Sequence, residues 1–161
     1  MFRHILSKFA VSAVAALTFC FLGTISLAAQ EALPSGQVTI QTADGKSHDF
    51  TVELATTNRQ REQGLMFRKT MAPMNGMLFD FGTDREVTMW MRNTLIPLDM
   101  LFISKDGKIT HIHPNAVPHS EDIISSRGAV RYVLEINGGE AKSLGIARGD
   151  AVVSKAMGNA R

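Results

Sequence analysis

The sequence predicts a mainly β domain, a β-rich α+β fold in which a compact antiparallel sheet forms a barrel-like or sandwich structure with one or two short helices. Three observations predict it: seven or so short strand-like apolar runs, turn residues between most of them, and only two stretches with the character of a short helix. No βαβ alternation, internal repeat or low-complexity tract is apparent.

The N-terminus comes first. Met1 to Lys8 is short and positive, Phe9 to Leu22 carries no formal charge, and Ser26-Leu27-Ala28 places small residues where a signal peptidase inspects them. This is the layout of a secretory signal peptide over residues 1–28, with an apolar run too short for a comfortable membrane span. Export to the periplasm or the extracellular space is expected, with no stable membrane span after cleavage. Cys20 follows Leu17-Thr18-Phe19 and lacks the small upstream residue that lipidation requires.

Cleavage after Ala28 removes 28 of 161 residues and leaves 133, enough for one core. Arg3, Lys8 and the single cysteine leave with the signal, so 17 basic residues become 15 against 15 acidic ones. The formal charge of +2 is therefore a property of the signal, and disulfides and cysteine chemistry are excluded. Neither the basic blocks nor the interleaved aromatics of a nucleic-acid surface are present.

Residues 29–37 read as a leader containing Pro34-Ser35-Gly36, 38–155 as one domain and 156–161 as a tail. Val38 and Ile40 alternate, Asp44-Gly45 makes a turn, and Phe50, Val52 and Leu54 alternate again, which predicts a hairpin. Thr57 to Gln60 has capping-box spacing, and Gly64 can end a short helix there. After a Met/Pro/Gly loop from Lys69 to Gly76, Met77 to Phe81 reads as a buried strand. Val87 to Arg92 reads as a separate two-faced strand. Leu98 to Ser104 and Ile109 to His113 are strands joined by the turn Lys105-Asp106-Gly107-Lys108. Pro114 to Gly128 is the longest expected loop. Val130 to Ile136 alternates as a strand, Glu140 to Leu144 suits a short helix, and Ala151 to Ser154 closes the chain's last strand.

Several segments resemble one family. Phe50-Thr51-Val52-Glu53-Leu54-Ala55, Gly64-Leu65-Met66-Phe67-Arg68, Gly76-Met77-Leu78-Phe79, Trp90-Met91-Arg92-Asn93-Thr94, Ile96-Pro97-Leu98-Asp99, Asp106-Gly107, Val133-Leu134-Glu135 and Gly149-Asp150 follow the order and spacing of the domain of unknown function 192 family. The resemblance runs from about Phe50 to Val153. It implies a small, mainly β prokaryotic domain, frequently exported, and brings no established activity with it. The chain departs from the family's habits at Gln60, Met89 and Ile124.

Three groups of residues are candidates for chemistry. Arg68, Trp90, Arg92, Asn93, Asp99 and Glu135 stand as polar or aromatic residues among apolar motifs. On a strand Trp90 and Arg92 would share a face opposite Met89 and Met91, offering an aromatic platform beside a guanidinium. Such a set suits a small polar or anionic ligand, or an envelope component, and no cofactor. The same residues also fit a structural role, with Asn93, Thr94 and Pro97 shaping a turn and Asp99 and Glu135 in buried ion pairs with Arg68 or Arg92. A hydrolase-like division of acid and base roles between Asp99 and Glu135 is the catalytic alternative.

The second group is methionine: Met66, Met71, Met74, Met77, Met89 and Met91 can fill gaps in a core or, as soft thioethers, bind copper. The third is His111-x-His113, whose spacing on a strand lets two imidazoles share a zinc or copper ion, with His119, Glu121 or Asp122 as a third ligand. No Gly-x-Ser-x-Gly, His-Glu-x-x-His, phosphate-binding or dinucleotide-binding glycine motif is present.

Overall fold

A computed structural model describes residues 33–160. The expected signal, residues 1–28, and the first part of the leader lie outside them. The described chain forms β1 (Ser35–Gln41), β2 (Ser47–Ala55), α1 (Asn58–Gln63), β3 (Asn75–Met89), β4 (Leu98–Ile103), β5 (Ile109–Ala116), β6 (Ile124–Asn137), α2 (Glu140–Ser143) and β7 (Ala151–Val153), with a 3₁₀ turn at Lys155–Met157. The mainly β expectation is met.

The strands make one sheet in the order β5-β4-β6-β3-β2-β1-β7. It curls into a half-barrel. At one end its edges meet, where Val152 N–H donates to the Gly107 carbonyl at 2.7 Å and Gly149 N–H to that of Ile109 at 2.8 Å. The ladders are antiparallel except β2 with β3. That parallel pair corrects the expectation of no βαβ unit: α1 and the loop behind it carry the chain over one face and return it in the same direction.

The local signals that predict α1 hold. The Thr57 side chain accepts from Gln60 N–H, the Gln60 side chain accepts from Thr57 N–H, and Gly64 ends the helix at φ 47°. A Cβ on Gly64 would lie 3.2 Å from the Phe79 ring, so glycine lets the helix end rest on that ring.

Non-local pairing changes three boundaries. β1 starts at Ser35, ahead of the expected Gln37. The two strands expected at Met77–Phe81 and Val87–Arg92 are one element, β3, bent by irregularities between Asp80 and Arg85 and again before Thr88. It ends at Met89, so Trp90 and Arg92 stand on a loop. Much of the expected loop from Pro114 to Gly128 is strand, because β5 runs on to Ala116 and β6 already starts at Ile124 opposite Met89.

Both faces of the central strands are buried. One face stacks Leu78, Leu101, Leu134 and Ile136 with Val38, Phe50 and Val152. The other stacks Met77, Phe79, Met100, Phe102 and Val133 and is covered by Leu65 and Met91 from the loops. β4 is buried at all its positions, consistent with a strand covered on both sides.

Candidate functional site

The second of these faces holds a row of cross-strand neighbours. Glu53 pairs with Met77, Met77 with Glu135, and Glu135 with Met100. Cross-strand neighbours share a face, so Glu135 is a carboxyl set between two thioethers. The row is closely built: a Cβ on Gly76 would lie 2.4 Å from the Glu135 carbonyl oxygen. Glycine there is what lets β3 approach β6.

Glu135 is 4% exposed and lies at a cavity of about 370 Å³, between the end of α1, β3 and the loop after it. Leu65, Met66, Phe79, Phe81, Met89 and Trp90 give the cavity its apolar character. Arg68 is not available to Glu135, because it forms a bidentate pair with Glu53 at the other end of the row. The Glu135 side chain has no hydrogen-bond partner among the described residues. Burial alone pushes its carboxyl up to about 8. Near neutral pH the group is therefore mainly protonated and can donate a hydrogen bond into the cavity.

The six expected site residues divide. Glu135 and Trp90 share the cavity, and Trp90 is half exposed at its rim. Arg92 is not on a strand, yet its guanidinium lies 5.8 Å from the Trp90 ring centroid, beside the exposed carboxylate of Glu121 at 3.7 Å. Asn93 shapes the loop at φ 56°, and its carbonyl accepts from Phe67 N–H at 2.8 Å. Arg68 lines a second hollow, of about 330 Å³, with Glu53, Thr51 and Asn75.

Asp99 belongs to the opposite face. It pairs with Ile136 while Glu135 pairs with Met100, so a one-residue difference in register separates the two carboxyls by the thickness of the sheet. Fully buried, Asp99 accepts backbone N–H groups from Asn115 at 2.8 Å, Gly139 at 2.9 Å and Ala141 at 2.9 Å. It fixes the entry to α2. The expected ion pairs of Asp99 and Glu135 with Arg68 or Arg92 are not formed, and the two carboxyls do not meet in a catalytic cleft.

The other candidates are dispersed. Met77 and Met91 are fully buried, while Met71 and Met74 pack against different cores. His111 and His113 lie opposite Phe102 and Met100 on one face of β5, with His111 stacked on Phe102 at 5.6 Å. Partial burial pulls His111 below the usual histidine range, helped by nearby Arg127, His113 and Arg148. Among the described residues no group of three His, Cys, Asp or Glu side chains is placed to hold a metal ion.

Glu53, Arg61 and Arg85 escape the sequence reading. Glu53 carries one signal, a charge within the apolar alternation of β2. Arg61 and Arg85 come together only because β3 bends.

The model of the DUF192 family, described as an uncharacterized ACR, matches residues 39–154. A crystal structure of a protein from Sinorhizobium meliloti 1021, described as a candidate transcription regulator, is similar with 56% identity and a TM-score of 0.77, covering 78% of this chain and 98% of that one. A protein of unknown function from Novosphingobium aromaticivorans DSM 12444 is similar with 41% identity and a TM-score of 0.74, covering 76% of this chain and 87% of that one. No curated protein matches significantly.

Proposed function

The chain belongs to the DUF192 family, and on that premise we propose that it is an exported, non-catalytic binding protein of the cell envelope. Its ligand is a small molecule with an apolar body and a hydrogen-bond acceptor that meets Glu135. The observation that carries this reading is the carboxyl of a 4% exposed residue, without a hydrogen-bond partner among the described residues, at an apolar cavity. A polar group in that position costs free energy unless something pairs with it. An apolar pocket with few polar anchors is also the usual form of a small-molecule site.

The reading narrows the polar or anionic ligand that the sequence suggests. Of the six candidate residues, Glu135 and Trp90 line this cavity, whereas Asp99 and Asn93 are committed to backbone geometry. The strained backbone around the rim supports it: Phe67, Asn93 and His119 all take positive φ, and their loops are joined by Phe67 N–H to Asn93 O and His119 N–H to Thr94 O. Such conformations collect at binding sites. A DNA-binding role, which the description of the Sinorhizobium protein would suggest, has less support. The described helices have six and four residues, too short for a recognition helix.

The chain's single tryptophan is Trp90, so its fluorescence reports on the rim directly. Titration with a neutral amphiphile such as decanol should change that emission saturably and raise Tm, and Glu135→Leu should weaken binding. No change in emission or Tm with any small amphiphile would remove the reading. Export is tested separately by fractionating the host and sequencing the mature N-terminus, expected at Ala29.

A further inference from the structure

The mouth of the same cavity carries two cations that have no anionic partner among the described residues. The Phe81 ring holds the Arg61 guanidinium at 5.5 Å from its centroid and that of Arg85 at 5.0 Å. Arg61 is fixed by neutral acceptors, the carbonyls of Thr56 and Asp80, both at 2.6 Å, and Asn58 Oδ1 at 2.5 Å. Arg85 is exposed. Among the described residues neither forms an ion pair, whereas the neighbouring Asp80 and Asp84 are paired with Arg131 and Lys105. Glu62 also lines the cavity and pairs with neither arginine. Two guanidiniums on one aromatic ring, both lacking a carboxylate, leave a positive rim on an apolar cavity.

We infer that the ligand is an amphiphilic anion, with its head group on Arg85 and Arg61 at the mouth, its apolar body running past Phe81 and Phe79, and the hydrogen-bond acceptor at its far end meeting Glu135. The inference rests on the binding role proposed above and names the chemical class of the ligand. Geometry gives the body its length. Arg85 is in register with Val130, and Glu135 lies five residues further along β6, roughly 16 Å at strand rise. Both residues line the same cavity, and an alkyl chain of medium length fits between them.

Decanoate, decanol and decyltrimethylammonium share one chain length and differ in head group, so they separate the charge from the body. Titrated into the full chain at neutral pH and low salt, with Trp90 emission as the readout, decanoate should bind about tenfold tighter than decanol. That advantage should shrink as salt is added. Arg85→Gln should remove most of the decanoate advantage over decanol, whereas Lys142→Gln, exposed on α2 and outside the cavity lining, should leave it unchanged. Equal affinity for decanoate and decanol, or tighter binding of decyltrimethylammonium, would overturn the inference while leaving the cavity a binding site. If none of the three binds, both the cavity reading and this inference fall.

Discussion

Replacing Glu135 with Gln tests the floor of the cavity through stability alone. The carboxyl has an ordinary value of 4.5, to be expected in the unfolded chain, and burial raises it to about 8 in the folded one. Between those two values the folded state keeps a proton that the unfolded state has released. Stability should therefore fall as pH rises through this window, by about 1.4 kcal/mol per pH unit, for a total near 5 kcal/mol above pH 8. Glutamine keeps the shape and the donor and cannot ionise. Urea unfolding of both proteins at pH 5, 7 and 9 measures the difference. The two should be close at pH 5, with the glutamine variant ahead by about 3 kcal/mol at pH 7 and about 5 kcal/mol at pH 9. A difference that stays flat across this range would refute the burial of Glu135 without a partner among the described residues.

Asp99→Ala strands three N–H groups, that of Ala141 buried and those of Asn115 and Gly139 partly buried, and should cost about 3–5 kcal/mol in urea unfolding, with Asp99→Asn recovering part of the loss. The Arg68–Glu53 pair is partly exposed, at 25% and 31%, so a double-mutant cycle should give a coupling of about 1 kcal/mol. Trp90→Ala should change stability by less than about 1 kcal/mol, since the side chain is half exposed, yet weaken ligand binding several-fold by calorimetry. NMR titration should place His111 below its ordinary value of 6.5, and a midpoint above it would contradict the packing of its ring on Phe102.

What the sequence shows best is what neighbouring residues decide. The hairpin through Asp44-Gly45 and the cap of α1 are local, and both are found as expected. β3 is split by eye because its alternation slips phase where the strand bends after Asp80. The loop after Pro114 is drawn into strand by partners far along the chain, Ala116 by Leu98 and Ile124 by Met89. The site follows the same division. Glu135 and Trp90 stand out as a charge and an aromatic in apolar motifs. Which arginine pairs with which carboxylate depends on register across the sheet, and that register gives Arg68 to Glu53 and leaves Glu135 alone. It also sends Asp99 to the other face, a distinction no spacing along the chain reveals.

A binding site in the cavity bordered by Glu135 and rimmed by Trp90 should respond to ligand along its own lining. Amide NMR spectra recorded during a decanoate titration test it most directly. Saturable shifts are expected at Gly64, Leu65, Met89, Trp90 and Thr94, which line that cavity, and none at Thr70 to Ala72 beside Arg68. Shifts confined to the Arg68 hollow, or scattered over the surface without saturation, would contradict it.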